Sequence, residues 1–268
     1  MAPEKMQSVM GEESPPAAGP DTYDALAQAK ELLRTIRAGA LATLVPRQTF
    51  PFASLVNVAT APDGSPILLL SRLAAHTRHL EADPHLSILL VQTGVGDPLA
   101  HPRITIIGTG QVISDPERRA ALKTRFLARH PKSALYADFA DFSFWLVAMD
   151  QVHLNGGFGR AAHFNATAIG TSIEGAGALI EAETQALAQI NAKGPNVLNL
   201  FATVLAGKGE GAWQATGLDP EGVDLGFDDQ TARIVFPSPV HNLQELRDTL
   251  AVLVESSRRA ATKPAPES

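Results

Sequence analysis

The chain has no cysteine among its 268 residues, which excludes disulfides, thiolate metal sites and a cysteine nucleophile. It is also short of positive charge, because 22 Lys and Arg stand against 28 Asp and Glu and give a formal net charge of -6. A general nucleic-acid binder needs clustered positive charge to meet the phosphate backbone, so we expect no nucleic-acid partner. The absence of cysteine is compatible with a cytoplasmic location, which we predict.

Long hydrophobic runs are missing as well. No segment approaches the roughly 18 apolar residues that a membrane span requires, and we expect no membrane partner. The first 20 residues carry four prolines and lack the apolar core of a signal peptide. Their composition predicts a disordered lead over residues 1–20, and a similar tail over residues 261–268.

Short aliphatic and β-branched runs separated by turn residues fill the first part of the chain. "ALATLV", "FASLVNVAT", "ILLLS" and "LSILLVQT" are typical of strands. A first helix is predicted from Asp21, and another where Asp115 caps and Pro116 takes the first helical position. Strands alternating with regular helices, the pattern of a parallel sheet, do not occur. We predict a closed antiparallel β-barrel with flanking helices over residues 21–170, and the family resemblance described below implies a split barrel of the Greek-key type.

The pattern changes in the last third of the sequence. Two helical segments are followed by three short strands, "WQAT", "GVDLGF" and "ARIVF", and by a final helix that begins at Asn242. These elements predict a small α+β domain over residues 177–260.

The stretch "VHLNGGFGRAAHF" matches the spacing of a dinucleotide fingerprint, but residues rich in β-branching follow it instead of a helix. We interpret the glycines as a bulge in a barrel strand. The bulge is either purely structural or also lets a ligand approach beside His163. The candidate ligand contacts on this stretch are Gly157, Phe158, Gly159 and Arg160.

A second candidate site lies in "LLLSRLAAHTRHL", where a strand ends and a short helix begins. No acidic residue occurs there before Glu81, and a helix N-terminus favours a phosphate or a carboxylate. The alternative is an ordinary solvated helix start. We call the candidate contacts the anion loop; they are Ser71, Arg72, His76, Thr77 and Arg78.

Together, "PFASLVNVATAPDGSPILLLSRLAAHTRHLEADPHLSILL" and "VHLNGGFGRAAHF" resemble the split-barrel proteins related to pyridoxamine 5′-phosphate oxidase, and within them the HugZ-type haem-utilisation branch. The tail "WQATGLDPEGVDL" with "ARIVFPSPV" resembles the small α+β domain (DUF2470-like) that is often fused to that barrel. The resemblance implies a homodimer that places haem or FMN in a cleft between its subunits.

The resemblance also implies roles for residues. In flavin-binding relatives the anion loop grips the FMN phosphate, although many carry lysine where this chain has His76. In the haem-utilising branch a histidine just beyond the last barrel strand ligates the iron, and His163 is the positional match. Arg72, Arg78 and Arg160 would then pair with the haem propionates. The resemblance identifies no catalytic residue.

We therefore predict a haem-binding split-barrel protein, and the sequence leaves open whether it also degrades haem oxidatively, with an electron donor, to release iron. Two alternatives stay open: an FMN-dependent oxidoreductase on the same fold, and a non-catalytic haem-binding or regulatory protein. One departure from the family favours the non-catalytic alternative over a fully active enzyme. Relatives often carry a histidine-rich run in the first helix of the fused domain, and this chain has "QINAKG" from Gln189 instead.

Overall fold

The computed structural model describes residues 23–48, 50–192 and 195–262. The predicted disordered lead lies outside these residues, and so does the predicted tail except Ala261 and Thr262, which end the last helix.

Eight strands form one sheet, and the sheet is antiparallel as predicted. Their order is β2-β1-β5-β6-β7-β4-β3, and β8 pairs with the second half of β7. The strands are β1 Ala38–Leu44, β2 Pro51–Asn57, β3 Ala59–Thr60, β4 Pro66–Ser71, β5 His85–Val91, β6 Arg103–Val112, β7 Phe142–Asn155 and β8 Ala161–Asn165.

The sheet curls into a split barrel because of where β2 and β3 lie. These two strands stand at opposite ends of the strand order, yet only Val58 separates them along the chain. A trans-linked residue spans at most about 3.8 Å between successive Cα atoms, so the two edges of the sheet must come together there. Val58 is fully buried, within a core of aliphatic side chains from β4, β5, β6 and β7.

Three helices of eight or more residues flank the barrel: α1 Ala25–Thr35, α2 Ala75–Ala82 and α3 Pro116–Arg129. The predicted cap of α3 is confirmed, since Asp115 Oδ1 accepts from the backbone N–H of Arg118 at 2.8 Å. Helix α1 begins four residues later than predicted from Asp21, because Asp24 provides its N-cap. A single turn, α4 Ala166–Ile169, follows β8.

The C-terminal α+β unit contains a three-stranded antiparallel sheet in the order β11-β10-β9. Its strands are β9 Gln214–Asp219, β10 Gly222–Phe227 and β11 Gln230–Val235, and its helices are α5 Gly177–Glu181, α6 Glu183–Ala192, α7 Pro195–Leu200 and α8 Leu243–Ala261. A π-helical turn, Phe201–Leu205, follows α7 directly. The fold class predicted from the sequence, a split barrel with a small α+β unit, is confirmed.

A buried cluster of charges joins the barrel to this unit. Asp219, at the end of β9, lies 3.3 Å from Arg34 Nη1 of α1 and 2.7 Å from Arg233 Nη1 of β11. Arg125 of α3 forms an ion pair with Glu183 of α6. Burial alone would raise the pKa of Asp219, but Arg34 and Arg233 lower it to about 2, so the carboxylate stays ionised.

His130 is the C-cap of α3, and its environment favours the neutral imidazole. The side chain is buried, its Nε2 lies 2.9 Å from the carbonyl oxygen of Val58, and burial lowers its pKa to about 4. Its role is therefore to tie α3 to the closure point of the barrel.

We expect the buried neutral His130 to make stability depend on pH. Its pKa is about 4 in the folded chain and near 6.5 in the unfolded chain, so the unfolded state binds more protons between these values. The contribution is complete above pH 6.5 and is lost as the pH falls toward 4, by roughly 3 kcal/mol. Urea unfolding across this range measures it. His130→Gln keeps an N–H donor for Val58 and is expected to flatten the profile; an unchanged slope would contradict the assignment.

Candidate functional site

The glycine motif forms the turn of a hairpin between β7 and β8, so the interpretation as a bulge within one strand is wrong. Gly157 and Gly159 have φ values of +106° and +73°, in the left-handed region that favours glycine. The backbone N–H of Gly156 donates to the Arg160 carbonyl at 2.7 Å. A Cβ at Gly156 would stand 2.0 Å from the hydroxyl oxygen of Tyr23, so a larger residue there would have to displace that side chain.

The hairpin presents an aromatic ring and a guanidinium to solvent. Phe158, at its tip, is 84% exposed. The Arg160 guanidinium carbon lies 4.7 Å from the centre of the Tyr23 ring, within cation–π distance. This contact orients Arg160 while leaving it exposed for an anionic group.

Two histidines face each other next to this turn. His153 of β7 and His163 of β8 are direct cross-strand partners, so their side chains lie on the same face of the sheet. Their ring centroids are 4.3 Å apart in an edge-to-face arrangement. His153 Nε2 is buried without a hydrogen-bond partner among the described residues, whereas the His163 side chain is exposed. The pair combines a fixed imidazole with one that is accessible to a ligand.

The anion loop is less open than its sequence indicates. The Ser71 hydroxyl donates to Asp141 Oδ2 at 2.5 Å, and the buried Thr77 hydroxyl donates to the Ser71 carbonyl at 2.7 Å. Both hydroxyls are therefore engaged within the chain. Asp141 also brings a carboxylate to the point where a phosphate would bind.

The basic side chains of the loop are also partly engaged within the chain. His76 Nδ1 lies 3.0 Å from Ser54 Oγ of β2, and burial lowers the pKa of its imidazole, which favours the neutral form. Arg72 and Arg78 are exposed, and each donates one bond to a backbone carbonyl, of Ala140 and Leu73 respectively. A guanidinium has five N–H donors, so both arginines retain donors for an anion.

The structure does not bring the two candidate sites together within one chain. Ser71 pairs with Phe142 at the start of β7, and His163 pairs with His153 near its end. Eleven residues of one strand separate these positions, which corresponds to roughly 36 Å at about 3.3 Å per residue. One haem or one flavin mononucleotide is too small to contact both within a single chain.

Sequence reasoning missed a set of exposed apolar side chains on and next to the edge strand β2, which we call the β2 edge. Its side chains are between 36% and 80% exposed. They are Phe50, Phe52, Leu55 and Leu73. β2 stands at one end of the strand order, where its outer edge has no strand partner among the described residues. The signal available in the sequence is the run "FPFASLV", which holds more apolar residues than one buried face of a strand needs.

No group of three or more His, Asp or Glu side chains in the described part of the chain could hold a metal ion. None of the helices described is long and apolar enough to cross a membrane.

The pyridoxamine 5′-phosphate oxidase family model matches residues 25–156, which cover most of the curled sheet. A protein of unknown function from Agrobacterium tumefaciens str. C58, Atu2129, is 31% identical, and the match covers 89% of this chain and 100% of that one with a TM-score of 0.78. The chain belongs to the pyridoxamine 5′-phosphate oxidase-like family of split barrels.

Two further relatives carry names that refer to haem. A heme binding protein from Mycobacterium smegmatis is 28% identical, with 89% of this chain and 99% of that chain covered and a TM-score of 0.52. The non-canonical heme oxygenase HOZ, chloroplastic, of Arabidopsis thaliana is 37% identical over 121 residues. That match covers 42% of this chain and 36% of the relative, so the chain spans about a third of the length of HOZ.

Proposed function

We propose that this protein binds haem and that His163 is the iron ligand. The observation that carries the proposal is the paired His153 and His163, of which the first has a buried Nε2 and the second is exposed at the end of a barrel strand. A neutral imidazole nitrogen is the usual proximal ligand of haem iron. The haem-related names of the Mycobacterium smegmatis and Arabidopsis thaliana relatives support the same cofactor.

The residues around His163 fit a haem. The exposed face of His163 leaves room for a flat ring, and His153 packs against the imidazole from the opposite strand and limits its rotation. Arg160, oriented by Tyr23, supplies a positive charge for a propionate. The bound haem would supply the redox and oxygen chemistry, while this chain binds and orients it.

We propose that the site is completed by a second copy of the chain. His163 lies on an exposed strand, and a cofactor there needs a second wall to exclude water. The anion loop cannot reach it within one chain, since roughly 36 Å of β7 lies between them. In a homodimer formed through the β2 edge, Arg72 and Arg78 of one copy would approach the haem held by His163 of the other.

An FMN-dependent oxidoreductase is the weaker alternative. The Asp141 carboxylate would repel a phosphate in the anion loop, and the hydroxyls of Ser71 and Thr77 already donate within the chain. His76 is biased toward the neutral form, so it adds little positive charge for a phosphate. Gly157, Phe158 and Gly159 remain candidate contacts for either cofactor.

We further propose residues 21–170 as the cofactor-binding domain and residues 177–260 as a separate α+β domain. A cytoplasmic location accords with the absence of cysteine from the sequence.

Titration of the purified protein with haem and, separately, with FMN tests the proposed function. We expect a saturable Soret band at one haem per chain, and little or no saturable quenching of FMN fluorescence. Saturable FMN binding without saturable haem binding would overturn the haem assignment and favour the oxidoreductase.

A second measurement separates a haem-degrading enzyme from a carrier. We expect the Soret band of the haem complex to decay when an electron donor and oxygen are added in the presence of catalase, with release of iron to a chelator. The same mixture without oxygen should keep its band. A band that persists equally with and without oxygen would show that the protein binds haem without degrading it.

Replacing Arg78 by alanine is expected to weaken haem binding by about 1.5–3 kcal/mol, the range of a hydrogen bond to a charged group. Arg118 on α3 is also exposed, and Arg118→Ala removes the same charge at a distance from the loop. Competitive haem titration compares the two variants. Equal affinities would show that the anion loop does not bind haem and is an ordinary solvated helix start.

Replacing Leu55 by aspartate is expected to convert a dimer into a monomer, because an unpaired carboxylate would be buried in the interface. Leu55 is 80% exposed in the single chain, so its own fold should tolerate the change. Val95→Asp, at a fully exposed loop position, serves as the control and should leave the dimer intact. Sedimentation velocity distinguishes the species; a wild-type monomer at micromolar concentration would contradict the proposed interface.

A further inference from the structure

A slot in the C-terminal α+β unit, remote in sequence from the barrel site, has the features of a ligand site. Helices α6, α7 and α8 and the π-helical turn enclose a volume of about 220 Å³. Its main apolar walls are Ile190, Val197, Phe201, Leu243, Leu250 and Val254.

One charged side chain interrupts this apolar lining. On α8, positions 243, 247, 250 and 254 form a single stripe, since residues three and four apart share a helix face. Three of them are Leu243, Leu250 and Val254, and the remaining one is Arg247. Arg247 is exposed and makes no hydrogen bond or ion pair with any described residue. A leucine there would complete the stripe, so an arginine places a free guanidinium on the lip of an apolar slot.

The size of the slot limits its ligand. At about 30 Å³ per water molecule in the liquid, 220 Å³ corresponds to roughly seven water molecules, and so to a ligand body of about seven heavy atoms. Pockets for drug-sized molecules occupy about 300–1,000 Å³, so a haem or a flavin is too large. The slot therefore cannot be a second copy of the barrel site.

The wall of the slot contains an uncommon backbone conformation. Phe201 lines the slot and begins the π-helical turn Phe201–Leu205. Single π-turns next to α-helices are rare and occur frequently at functional sites. Here the turn places the buried Phe201 ring at the slot while α7 keeps its own direction.

We propose that this slot binds a small amphipathic carboxylate, with its aliphatic body between α6, α7 and α8 and its carboxylate paired with Arg247. The apolar walls desolvate the body, and the guanidinium offers a bidentate, charge-assisted contact at the opening. A peptide helix would need a longer groove with several anchor positions, whereas this slot accepts one short chain. The inference does not depend on haem binding by the barrel.

Calorimetric titration of the full-length protein with octanoate, octan-1-ol and acetate tests the proposal. We expect one octanoate per chain, octan-1-ol at least tenfold weaker because it lacks the charge, and no measurable binding of acetate. Arg247→Gln should reduce the affinity for octanoate at least tenfold and leave that for octan-1-ol unchanged. Arg258→Gln, which removes an exposed charge from the same helix, should change neither.

A variant that fills the slot locates the binding. Ala251 lines the slot from an exposed position, so Ala251→Phe should abolish binding of both eight-carbon ligands without unfolding the chain. Circular dichroism and thermal unfolding verify the fold of each variant. The proposal is overturned if octanoate shows no saturable binding, if octanoate and octan-1-ol bind equally, or if Ala251→Phe still binds octanoate with wild-type affinity.

Discussion

Replacing Asp219 by alanine should lower the free energy of unfolding by about 3–5 kcal/mol, the range for breaking a buried ion pair from one side. The carboxylate is 0% exposed and lies within 3.3 Å of Arg34 and 2.7 Å of Arg233. Without it, the buried Arg34 guanidinium loses its ion-pair partner, and Arg233 keeps only Asp224, 2.9 Å from its Nη1, as a counter-charge. Because the cluster joins α1 of the barrel to β9 and β11, the loss should loosen both parts of the fold.

Urea unfolding monitored by circular dichroism measures this loss. Asp229→Ala is the matched control, since Asp229 pairs with Arg37 at 2.8 Å but is 91% exposed, and such surface pairs contribute about 0–1 kcal/mol. Similar losses for Asp219→Ala and Asp229→Ala would contradict the proposed role of the buried cluster.

The pH dependence of the cluster has a defined sign. The pKa of Asp219 is about 2 in the folded chain, below the value near 3.9 of an unfolded aspartate. Its contribution is therefore complete above about pH 4 and is lost as the pH falls through 2. This window lies below that of His130, so the two groups can be separated in one acid titration of the wild-type protein and the Asp219→Ala variant.

Local patterns predicted most of the fold. The antiparallel barrel, the cap at Asp115 and the strands of the C-terminal unit follow from hydrophobic periodicity and turn residues, which act over a few residues. The sequence predicts too early a start for α1, because Asp21 and Asp24 are equally good caps and local sequence does not choose between them.

Contacts between residues that are far apart in the sequence could not be predicted from local patterns. Arg34 and Asp219 form their ion pair across most of the chain, and no local pattern connects them. The glycine motif predicts a bulge, and the cross-strand pairing of His153 with His163 shows a hairpin turn instead. The burial of His130, which lowers the pKa of its imidazole, likewise depends on Val58 at the distant closure of the barrel.

The residues of the candidate site were predictable from the sequence, but their arrangement was not. The sequence singled out His163, Arg160 and the anion loop by residue type and spacing. It did not show that Asp141 accepts a hydrogen bond from the Ser71 hydroxyl, nor that β7 holds the two halves of the site far apart. Both facts follow from strand pairing, and the Asp141 carboxylate disfavours an FMN phosphate in the anion loop.

Haem titration of His163→Ala tests the central claim most directly. Removing the proposed iron ligand should abolish the ligated Soret band and weaken haem binding by more than a hundredfold, a larger loss than the 10- to 100-fold typical of supporting residues around a metal. His85→Ala is the matched control, because His85 is an exposed barrel histidine at the start of β5. The account predicts an unchanged spectrum and affinity for His85→Ala, whereas a His163→Ala protein with the wild-type Soret band and affinity would contradict it.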